Sequence, residues 1–443
     1  MKEGKTAKDE EARPVPREIL WVYLALFLEL VGAGASLPIL PFFALEDLNA
    51  SPFQLGVMYS LYSLAQMVGS FVFGRLSDSL GRRPIVLTAY LWSAIGFFLT
   101  GCSSSVWQLT LSRAFAGLSG GSISMTSAII ADFTDTTTRP KYMGIFGATI
   151  GLAFAIGPGV GGAAKTALES RPLLFFLCSI MCFGAFVLSV VLIPESLPKA
   201  QRRPLRLLDR VGEAAPLLSA EGDMEVGDRG AAGEEGGVNY VGLLMVFGAR
   251  FLTSFTTSLM TTCYSILFRE TYKEQFGQLD RALGMFLTVL ALVMCVYQGS
   301  MYPKLVKKFG KHRIIHLGCF SLGVGVLLIF FSTRLPTYLH LLAICTLYAW
   351  GSSMVEPGLP TLAASYADAK HQGFAQGSLS SFRFLAFICG PSLFGYLYKE
   401  VSPAAPFWVA GVAGMLAATL TTAAERFGCE ISDEGASREG VAA

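Results

Sequence analysis

Charged residues are scarce in this sequence of 443 residues. Asp, Glu, Lys and Arg make up 15% of it, whereas an ordinary soluble domain has about 25%. The charged residues are concentrated in short segments between long uncharged runs. A helix needs about 20 mostly apolar residues to cross a hydrocarbon core of roughly 30 Å. The shortage of charge therefore predicts a polytopic membrane protein.

The sequence also lacks the patterns of an enzyme or a metal protein. Its nine cysteines are scattered, and none shows the paired spacing of metal ligands. Cys178 and Cys182 are expected to pack on one face of a helix. No hydrolase triad and no phosphate-binding glycine loop can be found. We therefore expect neither enzymatic activity nor a metal or other cofactor.

The small net charge of +2 gives no reason to expect a nucleic acid partner. Residues 1–18 are polar, and the apolar run that follows them is too long for the core of a cleaved signal peptide. We therefore expect this run to remain in the protein as the first membrane span.

Twelve apolar runs predict an all-α membrane protein with twelve spans. They lie at residues 19–45, 53–74, 85–102, 106–131, 142–164, 172–194, 239–268, 281–303, 314–332, 338–364, 372–398 and 404–425. We interpret 19–194 and 239–425 as two bundles of six helices, flanked by polar tails at 1–18 and 426–443. The segment 195–238 is rich in Gly, Glu and Asp and is predicted to be a disordered linker.

The distribution of Lys and Arg predicts the orientation. If both termini are cytoplasmic, 24 of the 34 basic residues lie in cytoplasmic segments, seven in outer loops and three within spans. Cytoplasmic loops of membrane proteins carry this excess of positive charge. Both termini and the linker are therefore predicted to be cytoplasmic.

The turn between spans 2 and 3 reads GRLSDSLGRRP, from Gly74 to Pro84. It resembles the loop signature of the major facilitator superfamily, in the form seen in drug:proton antiporters such as tetracycline-efflux carriers and their eukaryotic relatives. The resemblance implies a cytoplasmic gate, in which a charge cluster braces the inward-closed state. The residues implied are Gly74, Asp78, Gly81, Arg82, Arg83, Asp132 and Arg139. Alternatively, the arginines only obey the positive-inside rule, but that would leave Asp78 unexplained.

The two halves of the sequence resemble each other. Gly310, after span 8, corresponds to Gly81 at an offset of 229 residues, and Lys307 then falls opposite Asp78. The Gly157-Pro158 pair of span 5 recurs as Gly390-Pro391 in span 11, at an offset of 233. The similar offsets indicate a duplication of six spans, which is the architecture of this superfamily.

Span 5 resembles the antiporter signature of the family, with Ala153 where the family usually has glycine. The matching residues are Gly144, Gly157, Pro158, Gly161 and Gly162. Small residues let helices pack closely, and Gly-Pro permits a bend. Ordinary packing of membrane helices remains an alternative explanation.

Five ionisable residues are predicted to lie within spans, where charge is costly and usually functional. LELVGAGASLPILP resembles span 1 of tetracycline carriers, with Glu29 in place of their aspartate, and LSRAFAGLSGG around Arg113 resembles the span 4 signature. The resemblance implies that Glu29 and Arg113 couple transport to protons. Arg250, Glu356 and Arg383 are further candidates for the substrate cavity. For all five, a structural ion pair between helices is the alternative.

The sequence Glu213-Ala-Ala-Pro-Leu217-Leu218 in the linker fits an acidic dileucine sorting signal. Such a signal is read by adaptor proteins, so the chain is expected in the plasma membrane or in an endosomal, lysosomal or vacuolar membrane.

Together these features predict a secondary active transporter. It would move a small organic solute or drug across a lipid bilayer by alternating access, as a monomer, in exchange for protons. Three arginines against two glutamates within the spans leave open an organic-anion carrier or a facilitator without proton coupling. A membrane scaffold without transport activity is a third hypothesis.

Overall fold

The computed structural model describes residues 18–135, 138–198, 202, 239–331, 338–367 and 371–439. Within these residues the secondary structure is helical, and no strand is present. Most of the predicted linker lies outside the described residues, and with it the proposed sorting signal at Glu213, Leu217 and Leu218.

The helices follow the twelve predicted spans in order, and we keep the span numbers. Their bounds are Glu18–Ser36, Pro52–Leu80, Arg82–Gly101, Val106–Gly117 with Ser122–Phe133, Arg139–Leu168, Arg171–Leu192, Tyr240–Tyr272, Leu279–Val296 with Tyr302–Phe309, Lys311–Phe331, Tyr338–Tyr366, Gln372–Tyr396 and Ala405–Glu439. Span 1 is followed by a short helix at Leu40–Phe42, and π-helical turns occur at Phe43–Asp47, Tyr297–Met301 and Leu397–Val401. Span 12 continues as a helix into the predicted C-terminal tail.

Ten of these helical segments are long and apolar enough to cross a membrane. The other two are spans 10 and 11, with 29 and 25 residues. Both exceed the length of about 20 residues that a membrane requires, but they contain internal prolines and the charged Glu356 and Arg383. The fold is an all-α membrane bundle. The length and the apolar composition of the helices support ten of the twelve predicted spans.

The packing of the helices repeats between the halves. In the first half, span 1 packs on spans 5 and 6, and span 3 packs on span 6. In the second half, span 7 packs on spans 11 and 12, and span 9 packs on span 12. Each contact in the second half is the first-half contact shifted by six spans. This pattern agrees with the predicted duplication.

Matching glycines end spans 2 and 8. Gly81 has a φ of 112° and Gly310 a φ of 83°, a region of backbone conformation that favours glycine over other residues. The two positions are those that the sequence aligned between the halves. The turn after the second span is therefore built in the same way in both copies.

The two halves meet through spans 2 and 11 and through spans 5 and 8. A Cβ added to Gly56 would lie 2.2 Å from the carbonyl oxygen of Pro391, and one added to Gly284 would lie 2.5 Å from that of Pro158. Only glycine allows the backbones to approach so closely. These contacts lie at the ends of the spans that the positive-charge count places outside, which we call the outer end.

At the opposite end, which we call the inner end, the same four helices stand apart. A Cβ added to Gly74, Gly144, Gly299 or Gly373, one glycine from each helix, would meet nothing within 4 Å. Among these glycines, the close contacts between the halves therefore lie at the outer end, whereas all four positions at the inner end face open space.

The glycines of span 5 provide a matched test of this packing. A Cβ on Gly161 would lie 2.0 Å from the carbonyl oxygen of Ala35 in span 1, whereas Gly144 faces open space. We expect Gly161→Ala to lower the free energy of unfolding by about 1–3 kcal/mol because it overpacks the contact. Gly144→Ala should not lower it and should raise it by up to about 1 kcal/mol, because alanine is the better helix former and its Cβ meets nothing there. Denaturant unfolding of the purified protein measures both, and equal effects would contradict this description.

Candidate functional site

Glu29 and Arg113 line one cavity of about 250 Å³ within the first half. Aromatic side chains form much of its wall, including Tyr59, Tyr62 and Phe97. The cavity thus combines one acid, one base and an apolar surface. It lies where the helices of spans 1 to 5 converge.

Close packing buries Glu29 on span 1. Gly32 places span 1 against the backbone of Cys178 in span 6, and Gly34 places it against Gly157 in span 5. The Glu29 side chain is 6% exposed. Its Oε1 accepts a hydrogen bond from Ser93 Oγ at 3.1 Å, whereas its Oε2 has no hydrogen-bond partner in the part of the chain that the structure describes.

Aromatic rings, rather than a carboxylate, hold the guanidinium of Arg113. Its central carbon lies 4.9 Å from the ring centroid of Tyr62 and 5.2 Å from that of Phe97. Such cation–π contacts are worth about 2 kcal/mol or more when desolvated. Arg113 Nη1 has no hydrogen-bond partner among the described residues, and no ion pair within 4.0 Å joins Arg113 to Glu29 there. The alternative explanation of these two residues, a structural ion pair between them, therefore has no support in this conformation.

Span 4 is interrupted beside the cavity, which the sequence did not predict. Its first helix ends at Gly117 and its second begins at Ser122. A Cβ on Gly69 of span 2 would lie 2.0 Å from the carbonyl oxygen of Leu118, so span 2 packs directly on the interruption. Ser119, within the interruption, lines the cavity. The closely spaced glycines of GLSGG were the available signal.

Arg250, Glu356 and Arg383 come together in the second half, from spans 7, 10 and 11. Arg250 Nη2 donates to Glu356 Oε2 at 3.0 Å, and Arg383 Nη1 lies 3.8 Å from the same oxygen. The Arg250 side chain is buried, whereas that of Arg383 is half exposed. Two guanidinium groups therefore share one carboxylate and leave a positive excess if all three are charged.

The predicted gate residues form a cluster at the inner end. Arg82 Nη1 lies 2.6 Å from Asp78 Oδ1, and Arg82 Nε lies 3.3 Å from Asp132 Oδ2. Arg83 donates to the carbonyl oxygen of Val190, and Arg139 donates to those of Ala131 and Thr134. In this conformation the described contacts of the cluster remain within the first half.

Glu195 belongs to this cluster, although the sequence analysis assigned it to the linker. Its Oε1 accepts from the backbone N–H of Arg82 at 2.9 Å, and its Oε2 lies 3.4 Å from Arg202 Nη2. An acid in this position stabilises the N-terminus of span 3. A Cβ on Gly81 would lie 2.4 Å from Glu195 Oε2, so the glycine also makes room for the carboxylate. The acid directly after span 6 was the missed signal.

A second charge cluster, also not predicted, joins the halves at the outer end. Arg171 at the start of span 6 contacts Glu46 at 2.5 Å, Asp47 at 2.6 Å and Asp280 of span 8 at 3.1 Å. Arg269 of span 7 contacts Glu46 at 2.9 Å. The pairs Arg171–Asp280 and Arg269–Glu46 cross between the halves. They reinforce closure of the outer end.

These features define a class of protein: a membrane transporter of two similar helical halves, closed at one end. Residues 22–221 and 250–426 match the family model "Major Facilitator Superfamily", and the chain belongs to this family. Members of the family are transporters and not enzymes, and this chain is a transporter.

The similarity to known proteins extends over nearly the whole chain. It is 26% identical to "Multidrug resistance protein 1" of Bacillus subtilis (strain 168), covering 90% of this chain and 94% of the relative. It is also 26% identical to "Tetracycline resistance protein, class E" of Escherichia coli, covering 89% and 91%.

Solved structures share the fold. The human organic anion transporter MFSD10 (TETRAN) is similar with a TM-score of 0.65 and 24% identity, covering 92% of this chain and 100% of that chain. The nucleoside transporter NupG is similar with a TM-score of 0.73 and 11% identity, covering 92% and 99%. At these identities the likeness concerns the fold alone.

Asp78→Asn tests the inner cluster. The variant loses the charge that faces Arg82, so we expect transport to fall by at least tenfold while the protein still folds and reaches the membrane. Asp135→Asn is the matched control, because Asp135 is exposed near the same end and lies outside the described ion pairs. Uptake into proteoliposomes compares the two, and wild-type transport by Asp78→Asn would exclude a role in gating.

Proposed function

We propose that this chain moves a small organic solute across its membrane by alternating access, in exchange for protons. The observation that carries the proposal is the buried Glu29, which lines a cavity with one oxygen unpartnered. A carboxylate without sufficient hydrogen bonds is costly in such a site, and taking up a proton removes that cost. The proposal assigns uptake and release of the coupling proton to this residue.

The position of Arg113 supports a reversible proton site. A close ion pair with Arg113 would hold Glu29 in its charged form throughout the cycle. The contacts of Arg113 with Tyr62 and Phe97 instead leave the carboxylate free to change its protonation state. A change in distance between Glu29 and Arg113 during transport would then favour proton uptake in one conformation and release in the other.

The two ends of the molecule support alternating access. At the outer end two ion pairs cross between the halves, whereas the described contacts of Asp78, Arg82 and Asp132 stay within one half. The partly exposed Arg269–Glu46 pair contributes about 0.2–1 kcal/mol, and the largely buried Arg171–Asp280 pair is more costly to break, so together they can bias a two-state equilibrium. We propose that the outer pairs separate, and the inner ends of spans 2, 5, 8 and 11 close, when the cavity opens outward.

The orientation and the sidedness of the proton exchange belong to the same proposal. The excess of Lys and Arg supports cytoplasmic termini, so the open end of this conformation would face the cytoplasm. The relatives named for multidrug and tetracycline resistance support a drug-like organic solute as the substrate class.

Glu29→Gln tests the coupling acid. The amide keeps the size of the side chain but cannot release a proton, so uptake driven by a pH gradient should fall to the background level. Exchange of solute already present on both sides should persist, because it requires no net proton movement. Both are measured in proteoliposomes with labelled tetracycline and a panel of labelled organic cations and anions. Glu356→Gln is the control for a general loss of intramembrane acids.

Full gradient-driven uptake by Glu29→Gln would overturn the assignment and make Glu356 the next candidate. Loss of exchange together with uptake would indicate a binding role for Glu29 instead of proton coupling.

A second candidate function, an organic-anion carrier, is supported by the cluster in the second half. Arg250 and Arg383 share only Glu356, so an anionic group would complete their charge balance. The solved structure titled as the human organic anion transporter MFSD10 has the same fold. Uptake of labelled anions that is equal with and without a pH gradient, and is lost in Arg250→Gln, would favour this function.

Asp280→Asn tests the outer cluster. Asp280 pairs with Arg171 across the halves, so its neutralisation should increase the population in which the outer end is open. Asp47→Asn is the matched control, because Asp47 pairs with the same arginine within one half. Spin labels on the exposed Ala167→Cys and Glu274→Cys, in a background without reactive native cysteines, report the distance across the outer end. A distance distribution unchanged by Asp280→Asn would contradict the role of this pair.

A further inference from the structure

The hydroxyl of Ser93 lies within hydrogen-bond distance of two acceptors but has one proton. Ser93 Oγ is 3.1 Å from Glu29 Oε1 and 2.8 Å from Ser119 Oγ. The hydroxyl of Ser119 donates to the carbonyl oxygen of Ala116 at 2.7 Å, so it can accept from Ser93 but has no proton to offer in return. Glu29 and Ser119 therefore compete for the same hydrogen of Ser93.

The protonation state of Glu29 decides this competition. When Glu29 is a carboxylate, Ser93 donates to it, because a hydrogen bond to a charged acceptor is about twice as strong as a neutral one. When Glu29 is protonated, its own O–H can donate to Ser93 Oγ, and Ser93 then donates to Ser119. Ser119 gains a hydrogen bond in one state and loses it in the other.

Ser119 lies in the interruption of span 4, between Gly117 and Ser122, where span 2 packs through Gly69. We propose that Ser93 is a positioning residue that links the protonation of Glu29 to the interrupted segment of span 4. This inference rests on the proposed role of Glu29 in proton coupling. It adds a route by which the proton changes the hydrogen bonding of a neighbouring helix.

Other titratable or charged groups also face Glu29 and influence its protonation in every variant. They are Tyr62 of span 2, Tyr90 of span 3, Arg113 of span 4 and Cys182 of span 6. The hydroxyl of Ser122 also faces the carboxyl group. Among the described residues, Ser93 is the one that both donates to Glu29 and reaches Ser119, so substitutions of Ser93 and Ser119 isolate the proposed link.

The experiment titrates Glu29 in the full-length protein by infrared difference spectroscopy, with protons as the only ligand. The C=O stretching band of the protonated carboxyl group is identified by its loss in Glu29→Gln. In Ser93→Ala the carboxylate loses its donor, so the midpoint should move to higher pH by about one unit. In Ser119→Ala only the protonated state loses a hydrogen bond, so the midpoint should move to lower pH by about half a unit.

Opposite shifts distinguish the link from a general packing defect. A packing defect gives no reason for the midpoint to rise in Ser93→Ala and to fall in Ser119→Ala. The double variant Ser93→Ala, Ser119→Ala should titrate like Ser93→Ala alone, because Ser119 acts through Ser93. Ser93→Thr retains the hydroxyl and should restore the wild-type midpoint. Ser189→Ala is the matched control, since Ser189 is fully buried in span 6 and bonded to its own helix.

Shifts of the same sign, no shift in Ser119→Ala, or additive shifts in the double variant would overturn the inference. Those results would leave the proposed function untouched, because Glu29 would still be seen to titrate. Full gradient-driven uptake by Glu29→Gln would overturn the proposed function whatever the titration shows, so the two failures can be told apart.

Discussion

A carboxylate within the hydrocarbon core must find its hydrogen-bond donors inside the protein, because no bulk water is present there. Glu29 finds one in Ser93, and the close approach of spans 5 and 6 at Gly32 and Gly34 keeps it buried. The interruption of span 4 adds Ser119 to the same site. The helices of the first half therefore surround one buried acid whose carboxyl group is only partly hydrogen-bonded.

The charges at the two ends of the bundle differ in whether they connect the halves. At the outer end Arg171 and Arg269 connect the halves, the first through a largely buried pair with Asp280 and the second through a partly exposed pair with Glu46. The partly exposed pair contributes little on its own, whereas removing one partner of the largely buried pair would leave an uncompensated charge.

The sequence predicted the helices and the duplication, because long apolar runs and repeated glycine positions are visible in it. It singled out Arg250, Glu356 and Arg383 as charges within spans but did not predict that the two arginines would share the carboxylate of Glu356. It also paired Glu29 with Arg113, but it did not predict that Arg113 would lie against the rings of Tyr62 and Phe97. The outer cluster could not be predicted, since Glu46 and Arg269 are 223 residues apart and neither lies in a recognisable motif. Glu195 was missed because its partner is a backbone N–H rather than a side chain.

The glycine turns after spans 2 and 8 show what the duplication retained and what it changed. Gly81 and Gly310 keep the same unusual backbone conformation, yet Lys307 stands where the first copy has Asp78. The shape of the turn was thus preserved while one acidic position became basic. The two halves are geometrically alike but electrically unequal at the inner end. Exchanging one half for a second copy of the other would therefore reproduce the backbone of the bundle without its distribution of charge.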